Sequence, residues 1–173
     1  ELGPGNIILA DSVDTVKDPW AAVRLDDPNT SYNRVFGNYL CCNPEGTLSS
    51  RYNSGVYISK GAHHNLIGPD NVISGKNYGV WIRHDSTVCN TISRNRIFGV
   101  SSSTSTSSTM SGILVGSTLN TGTIERNEIF DIKQTNTAGW GSAGIFLNAS
   151  NTAANVNVQN NLIYDVASYG FDD

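Results

Sequence analysis

Two stretches of the sequence match almost residue for residue: IERNEIFDI at residues 124–132 and VQNNLIYDV at residues 158–166. Each has an asparagine at its fourth position, an apolar residue three positions earlier and another two positions later. The same arrangement recurs earlier in the chain, with one extra residue in one copy, so the match belongs to an internal repeat. The repeated asparagines are Asn38, Asn71, Asn95, Asn127 and Asn161.

A second motif alternates with these asparagines and consists of a small residue followed by apolar, variable and apolar residues. It occupies residues 22–25, 55–58, 79–82, 112–115 and 144–147. From each small residue, the next asparagine follows after 16, 16, 16, 15 and 17 residues. The distance from an asparagine to the next small residue varies between 8 and 17 residues. One arc of the repeat therefore has a nearly constant length, and insertions are confined to a single corner.

Apolar residues alternate with period two over three or four positions in each repeat, which is typical of short β-strands. A strand with one apolar face cannot bury that face alone, but stacked repeats bury it between them. The sequence therefore predicts an all-β fold, a parallel β-solenoid. Its inward columns are predicted to be Val23, Val56, Val80, Ile113 and Ile145, and Leu25, Ile58, Ile82, Val115 and Leu147.

Over residues 22–171 the repeats resemble the right-handed parallel β-helix of the pectate-lyase-like superfamily, which includes lyases, epimerases, hydrolases, phage tailspikes and adhesins. The resemblance implies a right-handed coil of about five to six turns. Residues 1–21 would form its opening turn and residues 22–173 its repeats. It also implies that the five repeated asparagines form a structural ladder, in which each amide is hydrogen-bonded to the next turn at a tight bend.

The outward position between the two inward columns holds Arg24, Tyr57, Trp81, Leu114 and Phe146. Long corners precede Gly55 and Gly112, at about residues 42–54 and 99–111, whereas only residues 75–78 precede Gly79. We therefore expect Trp81 in a notch, where Tyr57, Trp81 and Arg83 would contact a glycan. The alternative is that the long corners cover these rings as a satellite core. A second outward column, Phe98, Phe130 and Tyr164, is expected to be packing under loops.

Charged residues follow the strand motif beside this notch. Lys60, Arg83, His84 and Asp85 are the types that β-elimination on a uronate polymer needs, a cation for the carboxylate and a base for the α-proton. The segment Trp81-Ile-Arg-His84 also resembles the Trp-Ile-Asp-His segment of pectate lyases, with Arg83 in place of the aspartate. Because that replacement removes a carboxylate, we expect no lyase activity from this segment alone. The alternative for these charges is a solvated surface ladder.

Composition excludes several classes of function. The chain has 173 residues, enough for one core, and a net charge of −4, which does not favour a nucleic-acid partner. It contains no apolar run long enough to span a membrane. Its three cysteines cannot all pair internally and match no zinc spacing. We expect no metal and no cofactor.

The function expected from the sequence is that of an extracellular or cell-surface β-helix with a structural or surface-presenting role. It could be fibrous or adhesive and could contact a polysaccharide. The alternative is a polysaccharide-processing enzyme of the uronate lyase or epimerase type. Because no amphipathic helix covers either end of the repeats, we also expect the ends to be occupied, either by more of the same solenoid or by end-to-end self-association.

Overall fold

The computed structural model describes residues 1–9, 20–48, 52–84, 86–104, 107–116, 121–138, 140–148 and 154–169. These residues contain β-strands and no helix. The strands are β1 (Ile7–Ile8), β2 (Ala21–Asp26), β3 (Arg34–Val35), β4 (Tyr39–Leu40), β5 (Ser54–Ser59), β6 (Leu66–Ile67), β7 (Val72–Ile73), β8 (Tyr78–Ile82), β9 (Asn90–Ser93), β10 (Arg96–Ser102), β11 (Thr109–Gly116), β12 (Thr121–Glu125), β13 (Glu128–Gln134), β14 (Gly141–Asn148), β15 (Asn155–Gln159), β16 (Leu162–Ile163) and β17 (Val166–Ser168).

The strands form three parallel sheets, and each repeat contributes a strand to the first, then the second, then the third. The first sheet has the order β2-β5-β8-β11-β14, and the second has the order β3-β6-β9-β12-β15. The third has the order β1-β4-β7-β10-β13-β16, with β17 also beside β13. This arrangement confirms the predicted all-β parallel solenoid. Its right-handed sense and its five to six turns stay predictions, and residues 10–19 and 170–173 lie outside the described residues.

The strand register aligns the members of both predicted inward columns, although Leu147, at the end of the second column, is 47% exposed. In the first sheet, Val56 pairs with Val80 and Val80 with Ile113. The side chains of Val56, Val80 and Ile113 are fully buried, as are their counterparts in the other two sheets, such as Ile92 and Ile97. Each buried aliphatic side chain contributes roughly 1.5–3 kcal/mol to folding. The core therefore fills the space between the three sheets.

The glycines of the repeated motif are explained by close packing. A Cβ atom placed on Gly112 would lie 2.4 Å from the Cγ2 atom of Ile129 and 2.6 Å from the carbonyl oxygen of Gly144. Its φ lies outside the left-handed region, so the constraint is space and not backbone conformation. Gly55, Gly79 and Gly144 meet an isoleucine of the third sheet at the same 2.4 Å. The small residue therefore marks where the first sheet approaches the third.

The repeated asparagines lie in one column along the solenoid. Asn71 donates from Nδ2 to Asn95 Oδ1 at 2.8 Å, and Asn95 donates in the same way to Asn127 at 3.0 Å. The column begins one turn earlier than the sequence analysis placed it, at Asn6, which donates to Asn38. A second ladder, which the sequence analysis missed, runs from Asn33 through Asn65 to Asn90.

The long corner before β11 is more regular than expected. Strand β10 continues to Ser102, and its residues Ser101 and Ser102 pair with Lys133 and Gln134 of β13. Strand β11 begins at Thr109. Much of the serine- and threonine-rich segment at 99–111 is therefore strand and not loop, because repeats of equal length allow the extra residues to pair.

The three cysteines are free thiols. Cys41 and Cys42 are fully buried, whereas Cys89 is exposed. Burial raises the pKa of the Cys42 thiol to about 11 and that of Cys41 further. The two buried thiols are therefore protonated at neutral pH and act as small apolar side chains.

Candidate functional site

The outward face of the first sheet carries the predicted column of large side chains. Arg24 pairs in register with Tyr57, Tyr57 with Trp81, Trp81 with Leu114, and Leu114 with Phe146. These side chains therefore stack along the solenoid axis, about 4.8 Å apart from turn to turn.

Four aromatic rings form a cluster on this face: Trp20, Tyr57, Tyr78 and Trp81. The Trp81 ring centroid lies 4.7 Å from that of Tyr78 and 5.1 Å from that of Tyr57. The Trp20 ring stacks on Trp81 at 6.2 Å with an interplanar angle of 10°. Trp20 was missed in the sequence analysis because it precedes the repeated motif.

The cluster leaves its members unequally exposed. Tyr57 is only 2% exposed, whereas Trp81 is half-buried and Trp20 is half-exposed. The Tyr57 ring is therefore covered, and its contact with a glycan stays a prediction. Its ring packs against Trp20 on one side and Trp81 on another, at centroid distances of 5.8 and 5.1 Å.

A cleft of about 300 Å³ opens beside Trp81. Trp81, Leu114 and Phe146 of the outward column form part of its lining, and the exposed ring of Trp140 lines it as well. The corner before β11 contributes Ser107 and Ser108, and β11 itself contributes Thr109. Residues 105–106 of that corner lie outside the described residues. The cleft has the size of a small ligand pocket, with an apolar lining and several polar groups.

Two of the polar groups in the cleft come from the segment after β8. The Arg83 guanidinium lies over the Trp81 ring, with its Cζ atom 4.9 Å from the ring centroid. His84 adopts a left-handed backbone with φ of 73°. Its Nδ1 atom is buried and has no hydrogen-bond partner among the described residues. The cleft therefore brings a cation and an imidazole together next to an aromatic surface.

Lys60, another candidate catalytic residue, is not among the described residues that line this cleft. Lys60 lies 3.7 Å from the Asp26 carboxylate, which also forms an ion pair with Arg24. Partial burial opposes ionisation of Asp26, but hydrogen bonds from Arg24 and Ser59 outweigh it and hold the pKa of that carboxyl below its usual range. This is the paired surface ladder considered as the alternative in the sequence analysis. Asp85 lies outside the described residues.

Neither a metal cluster nor a membrane-spanning helix is found in the part of the chain that the structure describes. No group of three histidine, cysteine, aspartate or glutamate side chains there could hold a metal ion. The same residues include no helix that is long and apolar enough to cross a bilayer.

Comparison of the chain with family models, with curated proteins and with solved structures finds no match. The β-solenoid fold therefore rests on the sequence repeats and on the strand register. Because one fold can carry many functions, the cleft is the feature of this chain that bears on its function.

Proposed function

We propose that the protein is an extracellular β-solenoid of the pectate-lyase-like type that presents the cleft beside Trp81 to a polysaccharide. The observation that carries the proposal is the composition of this cleft. Two tryptophan rings, Trp81 and Trp140, line it and keep exposed surface, whereas Tyr57 and Tyr78, which pack against Trp81, are buried. Exposed apolar surface rimmed by polar groups marks an interaction site.

The polar groups suggest an acidic sugar as the bound unit. An aromatic ring offers a flat apolar surface to the C–H face of a sugar, and a guanidinium donates paired hydrogen bonds to a carboxylate. The Arg83 guanidinium lies over the Trp81 ring, so a monosaccharide at the exposed edge of that ring can also reach the guanidinium. Trp140 lies on the same cleft and can contact a neighbouring unit of the chain.

We expect Trp140→Ala and Trp81→Ala to weaken binding of polygalacturonate at least tenfold. Truncation of a central aromatic anchor costs about 2 kcal/mol or more, which corresponds to more than a tenfold change in Kd. Affinity electrophoresis in gels containing polygalacturonate, alginate or neutral dextran measures retention. Since Trp81 packs on three other rings, its removal also disturbs packing. Trp140→Ala therefore tests binding more directly.

The matched control is Tyr32→Ala, which removes an exposed ring that is not part of the cleft. Its retention should equal that of the unmodified chain. Equal retention of the Trp140 and Tyr32 variants, or no retention of the unmodified chain by any of the three polymers, would contradict the proposal.

A second candidate function is polysaccharide processing, favoured by the presence of Arg83 and His84 in one cleft. A lyase needs a base and a charge-neutralising cation at one sugar carbon. Arg83 stands where the lyase segment has an aspartate, and Lys60 is held by Asp26. We therefore expect no unsaturated uronate from polygalacturonate or alginate, measured by its ultraviolet absorbance. Release of that product, and its loss in His84→Ala but not in Lys60→Ala, would assign the activity to the cleft.

A further inference from the structure

Two consecutive histidines, His63 and His64, lie at the corner between the first and second sheets, after β5 and before β6. Their Nδ1 atoms are 2.8 Å apart, and their ring centroids are 5.0 Å apart with an interplanar angle of 85°. His63 is half-buried and His64 is exposed. Neither is among the described residues that line the cleft beside Trp81. The pair is therefore a cluster of metal-ligating groups that the proposed function does not use.

The backbone explains why the two side chains converge. Successive side chains of an extended strand point to opposite faces, but His64 has a left-handed backbone with φ of 55°. It directly precedes Asn65, a buried rung of the second asparagine ladder. The His63 N–H donates to the Thr30 carbonyl oxygen of the preceding turn, and the His64 N–H donates to that of Val88 in the following turn, each at 3.2 Å. The fold thus holds both histidines in place without a ligand.

A tyrosine ring packs against the pair. Tyr32 occupies the position of His64 one turn earlier, because Ser31 pairs with His63. The Tyr32 ring stacks on His64 at a centroid distance of 5.1 Å and meets His63 edge-on at 6.2 Å. These contacts restrict the two imidazole rings, so less side-chain freedom is lost when a ligand binds them.

The distance between the two Nδ1 atoms limits their protonation. Each ring nitrogen of a neutral imidazole either donates or accepts, so at 2.8 Å one Nδ1 donates its proton to the other. A metal ion can replace this shared proton, since neutral imidazole is a common metal ligand. The donor ring then carries its proton on its own Nε2 atom, and both Nδ1 atoms present a lone pair. No proton has to leave the protein.

The same distance indicates which metals fit. Bonds from a metal to imidazole nitrogen are about 2.0–2.1 Å long, so two such nitrogens lie about 2.8–3.0 Å apart at a right angle and about 3.3–3.4 Å apart in a tetrahedron. The 2.8 Å between the Nδ1 atoms matches the right angle. Copper(II) and nickel(II) take tetragonal arrangements of nitrogen and oxygen ligands, whereas zinc in proteins is mostly tetrahedral. The spacing therefore favours copper(II) and nickel(II) over zinc.

We propose that His63 and His64 form a surface site for a divalent transition-metal ion, copper(II) or nickel(II), bound through both Nδ1 atoms. Water fills the remaining positions of the ion. Such a site needs two protein ligands and is compatible with the finding that no group of three lies among the described residues. The sequence analysis expected no metal because it considered the spacing of the cysteines and not this pair. The site is separate from the cleft and independent of glycan binding.

The exposed thiol of Cys89 is a rival ligand at the same corner. Cys89 follows Val88, which accepts from His64, and it has the same left-handed backbone, with φ of 55°. Its Sγ atom lies 3.5 Å from Thr121 Oγ1 of the following turn. Thiolates are strong ligands for soft metal ions. An experiment on the histidine pair therefore has to separate it from this thiol.

The test is isothermal titration calorimetry of the chain without a histidine tag, with nickel chloride and zinc chloride. Nickel is the main probe because thiols reduce copper(II) but not nickel(II). We expect one nickel ion per chain and weaker binding of zinc. His63→Asn and His64→Asn should each raise the Kd for nickel at least tenfold, since loss of a residue that only supports a metal ligand already costs 10–100-fold. Asparagine tolerates the left-handed backbone at position 64, and melting curves check that the variants fold.

Two variants serve as matched controls. His84→Asn removes the third histidine of the chain, and Cys89→Ser removes the rival thiol. Both should bind nickel as the unmodified chain does. The proposal is wrong if the unmodified chain takes up no nickel at millimolar concentration, or if either histidine variant binds as tightly as the unmodified chain. Equal weakening in a control would mean that the ion is held elsewhere, and tighter binding of zinc than of nickel would contradict the right-angled geometry.

Discussion

Replacing Asn95 with alanine is expected to destabilise the protein by about 2–4 kcal/mol. The Asn95 side chain is buried, accepts from Asn71 at 2.8 Å and donates to Asn127 Oδ1 and to the Ile67 carbonyl oxygen. Alanine removes these bonds and leaves polar groups on both neighbouring turns without their partner. Each buried group that loses its partner costs roughly 1–3 kcal/mol. At about 2–4 °C per kcal/mol for a chain of this size, the melting temperature should fall by roughly 10 °C.

Asn33→Ala is the matched control for this prediction. Asn33 begins the second ladder and is partly exposed, so that only one neighbouring turn loses a partner when its side chain is removed. Its melting temperature should fall by less than half as much. Thermal unfolding followed by circular dichroism measures both variants. Equal melting temperatures for Asn95→Ala and the unmodified chain would mean that the ladder contributes nothing to stability.

Gly112→Ala is expected to lower the free energy of unfolding by a similar amount, for a different reason. The added methyl group would lie 2.4 Å from Ile129 Cγ2 and 2.6 Å from the Gly144 carbonyl oxygen. The isoleucine is fully buried, and the carbonyl belongs to the next strand of the sheet, so neither can move freely. Overpacking of this kind costs about 1–3 kcal/mol, and more where the backbone must shift.

Gly116→Ala provides a control in the same strand. A Cβ atom there meets its nearest neighbour, Trp81 Nε1, at 3.9 Å, an ordinary contact distance. Since glycine weakens a strand by roughly 0.5–1 kcal/mol relative to alanine, this variant should be as stable as the unmodified chain or slightly more so. Chemical unfolding in urea compares the two. If Gly112→Ala is as stable as Gly116→Ala, close packing does not explain the repeated glycines.

The fold could be predicted from the sequence because the residues of each buried column recur in several repeats. A single apolar pair such as Val80 and Ile82 does not by itself identify a strand of a solenoid. Its recurrence at a nearly constant distance from an asparagine does. The second ladder could also have been found, because Asn33, Asn65 and Asn90 each stand two residues before a buried apolar residue of the second sheet.

The candidate site was predicted less completely. Tyr57 and Trp81 occupy equivalent positions, yet one is covered and the other is half-exposed. Both rings also pack against Trp20, which lies outside the repeat. Lys60 and Arg83 both follow a strand of the first sheet, but of the two only Lys60 has an ion-pair partner, Asp26, among the carboxylates of the described residues. These side-chain contacts depend on tertiary packing. They do not recur from repeat to repeat, so the sequence pattern cannot predict them.

The corner between the third and first sheets varies in length, whereas the strands that it joins do not change their register. It is four residues long between β7 and β8 and longer before β5, β11 and β14, while the strands on either side keep their register. Residues inserted or deleted at this corner do not change the residues that pack the core of the repeat. The same corner supplies one wall of the cleft. Insertions and deletions at this corner can therefore change the ligand preference of the cleft. The strands cannot accept such changes, because their glycines and asparagines must keep their positions in the repeat.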